Sequence, residues 1–200
     1  MPPTTVLLAR HGESDWNVEG RWQGHTDRPL TELGHRQAAA LAEELADAEL
    51  DAVYTSDLRR ASETAAPVAE RHGLPLHRVR ALREVDVGSW AGLTREEVAA
   101  RFPAAYRRWL DGDAGWDDGE SYERMAARVV AGVAELASRH AGGRILVVSH
   151  GGVIRALHAA ALEVDMATLR LRRRVSANAE VTAILVDRGR LSPAQGLALD

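Results

Sequence analysis

Twice in this chain a short run of β-branched and aliphatic residues stops on a histidine followed by glycine: "TTVLLARHG" at 4–12 and "RILVVSHGG" at 144–152. Runs of this kind read as strands buried on both faces, and such strands belong in a parallel sheet covered by helices. The second run, a strand over Ile145–Ser149, leads directly into the helical stretch "VIRALHAAAL". The repeat therefore limits the fold class more than any other feature. It also raises a question, because each strand ends on groups that cost free energy to bury.

The remaining sequence alternates to match. Leu33, Ala38, Leu41 and Leu45, with Thr31 as N-cap, predict a first helix in "TELGHRQAAALAEELADAEL". Asp51–Ser56 reads as a second strand, and "LRRASETAAPVAERHG" as a second helix closed by Gly73 ahead of Pro75. "LHRVRALREV" reads as a short strand running into a loop. "TREEVAARFPAAYRRWLDG" and "SYERMAARVVAGVAELASRH" read as helical, separated by the Gly- and Asp-rich "DGDAGWDDGE". This middle stretch, roughly residues 89–125, is expected to be a small helical lid insertion. "AEVTAILVD" alternates as a strand, with "RGRLSPAQGLAL" as a hairpin partner. The expectation is one α/β domain over residues 1–200, a three-layer α/β/α sandwich with a mostly parallel central sheet. Its ligand site would lie beyond the carboxyl ends of the strands.

Composition narrows the partners. A net charge of −4 gives no global electrostatic reason to expect nucleic acid or an anionic membrane. The chain has no cysteine, which excludes disulfides, thiolate metal sites and a cysteine nucleophile. "MPPTTVLLARHGE" carries no basic leader, and its apolar run falls short of the roughly 18 residues of a membrane span, so a cytoplasmic location is the expectation. All 25 basic residues are arginine. Codon usage alone can account for that, so only the position of an individual arginine argues for function. The cluster at 170 and 172–174 reads as a solvated edge or a dimer contact, which leaves pairing into a homodimer open.

Three strands end on groups that suit a single chemistry: Arg10 and His11, then Ser56 with Arg59 and Arg60, then His150 with Gly151. In a parallel sheet these ends share one edge. Guanidinium groups and free N–H groups at a helix start suit a phosphate oxygen, and Gly151 and Gly152 allow close backbone approach. An imidazole among arginines is pushed toward its neutral, nucleophilic form. Phosphohistidine chemistry needs no metal, so no cofactor is expected. The chain has no Gly-rich loop ending in Lys-Ser/Thr, no H-E-x-x-H and no G-x-S-x-G.

"RHGES" with Asn17, "RWQGHTDRPLTELGHRQA", "TSDLRRASETA", "LREVDVGSWAG" and "VVSHGGVIRAL" together resemble the histidine phosphatase superfamily, with its phosphoglycerate mutase-like fold, over nearly the whole chain. The resemblance implies that His11 is the nucleophile, that Arg10, Arg60 and His150 hold the phosphoryl oxygens, and that Glu84 protonates the leaving alcohol. Arg60 is preferred to Arg59 because the family's arginine stands immediately before the alanine, here Ala61. Ser14, Asn17, Gln23, Gly24 and the N–H of Gly151 match positions lining the phosphate or substrate pocket. For Ser14 and Asn17 helix capping or loop closure is the competing reading. His25, His35, His72, His77, His140 and His158 are assigned to surface or packing roles.

Within that family the short region after the acidic motif, without lysine, points to a phosphatase acting on a small organic phosphate ester. The alternatives are a phosphoglycerate mutase and a non-catalytic phosphoester-binding module. Adjacent Arg107 and Arg108 read as solvated rather than as a carboxylate clamp. Trp90, Trp109, Trp116 and Tyr122 could either wall the substrate site or pack the small lobe.

Overall fold

The computed structural model describes residues 2–172 and 176–197. Among them six strands form one sheet: β1 (Thr4–Arg10), β2 (Ala52–Thr55), β3 (Leu76–Arg78), β4 (Arg144–Ser149), β5 (Val181–Asp187) and β6 (Arg190–Pro193). Their order is β3-β2-β4-β1-β5-β6. The first four are mutually parallel, and β5 returns antiparallel to both β1 and β6. The helices are α1 (Asp15–Val18), α2 (Glu32–Glu44), α3 (Arg59–Arg71), α4 (Arg95–Arg101), α5 (Pro103–Leu110), α6 (Tyr122–Ser138), α7 (Gly151–Ala161) and α8 (Met166–Arg172).

The pleat sorts the strand residues into two cores, because successive side chains point to opposite faces. Val6, Leu8, Ala52, Tyr54, Ile145 and Val147 meet Val129, Val133, Ile154 and Leu157 of α6 and α7. Ala9, Val53, Leu146 and Val148 meet Leu41, Ala65 and Val68 of α2 and α3. Both faces of the sheet are thus covered, which is the expected three-layer sandwich. Register then sets the site: Arg10 lies opposite Ser149 and Thr55 opposite Val148, so the chain leaves all three strands at one level.

Details depart from the sequence reading. Leu33 is 41% exposed, whereas Ala38, Leu41 and Leu45 are buried. Five residues of helix amount to about 140° of rotation, which carries Leu33 off the face that Ala38 shares with Leu41. The stretch 95–110 is two helices, because Phe102 precedes proline and leaves the helical region, and Pro103 starts α5 at its first position. The helix α8 had no sequence signal strong enough to be expected, and α1 enters the sequence reading only through the capping alternative for Ser14 and Asn17. Trp90 and Trp116, in the stretch expected to be inserted, are buried in the same core cluster as Val6 and Ile145. Arg173 and Arg174 lie outside the described residues, as do the side chains of Arg170 and Arg172, and with them the expected solvated edge or dimer contact.

A backbone-to-backbone contact locks the loop after β1. A Cβ on Gly12 would sit 2.6 Å from the carbonyl oxygen of Gly34, and one on Gly34 would overlap that of Glu13. Both glycines are needed because the start of α2 presses on the loop with no space for a methyl group. Thr31, the expected N-cap of α2, accepts the Gly34 N–H at 3.0 Å and donates to the Glu13 carboxylate at 2.8 Å. Gly34→Ala should therefore destabilise the fold by about 1–3 kcal/mol, the range for overpacking a tight contact. Urea denaturation tests this, and a midpoint equal to wild type would show that the loop can yield.

Candidate active site

His11 emerges from β1 and His150 from β4, their ring centroids 5.2 Å apart. The loop carrying His11 is held by several partners. Its N–H donates to Ser149 O at 2.9 Å, Asn178 Nδ2 donates to its carbonyl at 2.8 Å, and the next N–H, of Gly12, donates to Thr64 Oγ1 at 2.9 Å. His11 Nδ1 lies 2.7 Å from Gly12 O. A carbonyl has no proton to give, so the proton is on Nδ1 and Nε2 of the neutral ring carries the lone pair.

Two arginines complete the floor. Arg60, in the first turn of α3, is 1% exposed and donates to Thr26 O at 2.8 Å and Gly24 O at 2.9 Å. Arg10 donates to Ser176 O at 2.7 Å. These carbonyls fix the guanidinium planes without neutralising them. Nε of Arg10, Nε of Arg60 and both ring nitrogens of His150 are buried without a hydrogen-bond partner in the protein. A fully buried set of donors left over in this way fits an anion. Burial, more than charge repulsion, sets the imidazole chemistry: desolvation first, then Arg60, then Arg10 push His11 well below its ordinary value of 6.5. His150 is pushed in the same direction, by burial and then Arg60. Burial also lowers Arg60 to about 10, against the attraction of Glu84 and Asp27.

Glu84 follows the 3-10 turn at Arg80–Leu82. Its carboxylate accepts from Gly152 N–H at 3.1 Å and from Val85 N–H at 3.0 Å. A Cβ on Gly152 would overlap Glu84 Oε1, so the second glycine of "HGG" serves the carboxylate rather than an external anion. Gly151, the first residue of α7, lines the cavity beside it.

The cavity holds about 590 Å³ and has Arg10, His11, Arg60 and Glu84 in its lining. Asn17, Gln23 and Gly24 also line it. Ser14 stands behind them, fully buried, with Oγ 3.0 Å from Asn17 Oδ1 and 2.9 Å from the Gln23 amide. It caps α1 and braces two wall residues, so the capping reading describes its contacts. Arg59 is on the surface, bonded to Glu63 at 2.5 Å. The aromatic residues divide: Trp90 and Trp116 pack the core, while Trp109 and Tyr122 face the cavity. Trp22 faces it too, 5.1 Å from the Trp109 ring. Sequence reasoning passed over Trp22, and it also set aside His25, whose Nε2 lies 2.8 Å from the Glu84 carbonyl. Arg155 on α7 is a further unforeseen lining residue.

A family model described as histidine phosphatase superfamily (branch 1) matches residues 6–195. The chain is 40% identical over 160 residues to the metal-independent phosphoserine phosphatase of Arabidopsis thaliana, a match spanning 78% of this chain and 67% of that one. It is 41% identical over 172 residues to the glucosyl-3-phosphoglycerate phosphatase of Mycobacterium tuberculosis, spanning 81% and 77%. The solved structure of Bacillus stearothermophilus YhfR superposes with a TM-score of 0.90 at 35% identity, covering 98% of both chains.

The two depressed imidazoles have a sign that can be measured. Unfolded, each takes a proton near its ordinary value of 6.5; folded, only well below it. The unfolded state therefore binds more protons on acidification, and stability should fall as pH drops below about 6.5. Urea midpoints taken between about pH 7 and pH 5.5, above the ordinary carboxylate range, should show that decline. Saturating inorganic phosphate, which favours the imidazolium form, should flatten it. A level midpoint in the ligand-free protein would contradict the assignment.

Proposed function

The chain belongs to the histidine phosphatase superfamily, and on that premise we propose that it hydrolyses small organic phosphate monoesters through a phosphohistidine on His11, without a metal. The observation that carries this is the His11 tautomer. Its Nδ1–H is tied to Gly12 O, so Nε2 presents a lone pair within a buried set of cationic and neutral donors. Attack of Nε2 on phosphorus breaks the bond to the ester oxygen, and Glu84 in its acid form gives that oxygen a proton. Water then attacks the phosphohistidine and gives a proton to the Glu84 carboxylate. Phosphate leaves and both residues return to their starting forms.

Arg10, Arg60, His150 and the Gly151 N–H are the groups that hold the phosphoryl oxygens in this scheme. The guanidinium groups of Arg10 and Arg60 are pre-aimed by Ser176 O and by Thr26 O and Gly24 O, so little reorganisation of these two is needed as charge develops. The segment 89–125 acts as the lid in this reading, with Trp109 and Tyr122 facing the organic part of the ester. Hydrolysis rather than transfer is supported by the arginine pair: Arg108 is committed to Gly115 O and Asp117, and neither Arg107 nor Arg108 lines the cavity.

Phosphate release from an aryl phosphate in EDTA should persist in wild type and vanish in His11→Ala. Loss of wild-type release in EDTA would remove the metal-free route. Trp109→Ala should raise KM for organic esters several-fold, consistent with loss of roughly 0.5–1.5 kcal/mol of aromatic contact, while leaving inhibition by inorganic phosphate unchanged. An equal effect on both would place Trp109 at the phosphate instead of the leaving group.

A further inference from the structure

Glu84 is held in place by a residue far from it in sequence. Arg128 projects from α6, and each of its five N–H groups has an acceptor. Nε and one N–H of Nη2 form a fork on Glu120, at 2.8 and 2.5 Å from Oε1 and Oε2. The other Nη2 proton goes to Glu84 O at 3.0 Å, and Nη1 donates to Ala81 O at 2.9 Å and Arg83 O at 2.8 Å. Leu82 O, the remaining carbonyl of this stretch, accepts from Ser149 Oγ at 2.7 Å. Four successive carbonyls, 81 to 84, are thus taken by side chains from the elements that frame the cavity. His25 adds a second contact to Glu84 O.

We propose that Arg128, with Glu120 orienting its guanidinium, is a positioning residue that aims the Glu84 carboxyl at the leaving oxygen. The guanidinium lies along the backbone of 81–84 and fixes the Cα of Glu84, while Gly152 N–H and Val85 N–H fix the carboxylate at the other end. Only a planar fork with five donors can satisfy this set; a lysine has three donors and no fixed plane. Arg128 does not line the cavity, so it acts on the reaction through Glu84 alone.

The inference rests on the reading of Glu84 as the acid, and its test separates the two. An aryl phosphate with a weakly basic leaving group departs without a proton, and an alkyl phosphate needs one. The measured quantity is kcat/KM, which reports transfer to His11 and not the later hydrolysis. Glu84→Gln should lose far more activity on the alkyl ester than on p-nitrophenyl phosphate. Arg128→Met and Arg128→Lys should show the same selectivity, with a loss of roughly tenfold to a hundredfold on the alkyl ester, a part of what general acid catalysis supplies. Glu120→Gln should do so more weakly. Inorganic phosphate inhibition should stay unchanged in the Arg128 and Glu120 variants, because neither residue lines the cavity and the phosphoryl cage is untouched. Arg128→Lys keeps the cation and carries the test if Arg128→Met does not fold. Equal losses on both esters in the Arg128 variants, with Glu84→Gln selective, would reduce Arg128 to a structural role. Equal losses in Glu84→Gln itself would overturn the acid assignment and the positioning role with it.

Discussion

The hydrogen bond between His11 Nδ1–H and Gly12 O decides which nitrogen of the ring can react, and much of the fold exists to make it possible. A histidine bonding to the carbonyl of its own neighbour requires a bent, fixed loop. That loop is fixed by the glycine contact with α2, by Thr64 from α3 and by Asn178 ahead of β5. The helical layer of α2 and α3 and the antiparallel extension of the sheet therefore both contribute to one tautomer. The parallel register then sets His150 beside it at the same height.

Around this bond the protein accepts an electrostatic penalty. Arg10 and Arg60 are withdrawn from water with carbonyl oxygens, rather than carboxylates, against their planes. An acidic partner in direct contact would have stabilised them, but it would also have occupied the donors a phosphoryl group needs. Sites that break a local rule of stability in this way are where function is concentrated. The nearest carboxylate that counts, Glu84, is kept at the start of α7, where it can serve the leaving oxygen instead of neutralising the guanidinium groups.

The layered fold was legible because both its signals are local: strands that end on polar pairs, and helices with their caps. His11, Arg10, Arg60 and His150 were legible for the same reason, since each sits at or just past a strand end or helix start. Choosing Arg60 over Arg59 came from the family pattern, and the structure puts the first in the floor and the second on the surface. What stayed hidden depends on contacts between distant residues. Nothing near Arg128 in sequence says that it reaches carbonyls 81, 83 and 84, and nothing near Gly152 says that its missing side chain leaves room for Glu84. The tryptophans could not be divided between core and cavity because helical spacing gives a direction without saying what lies in it. Leu33 shows the opposite error, a hydrophobic residue counted into a stripe that its five-residue offset from Ala38 excludes.

Four of the five tryptophans form one connected edge-to-face group, with Trp22 centred 5.3 Å from Trp90, 5.1 Å from Trp109 and 6.0 Å from Trp116. Indole rings this close share their excited state, so light absorbed by the two that are locked in the core reaches the two at the cavity. The packing that joins the middle segment to the core thereby links the optical response of buried rings to that of rings lining the cavity.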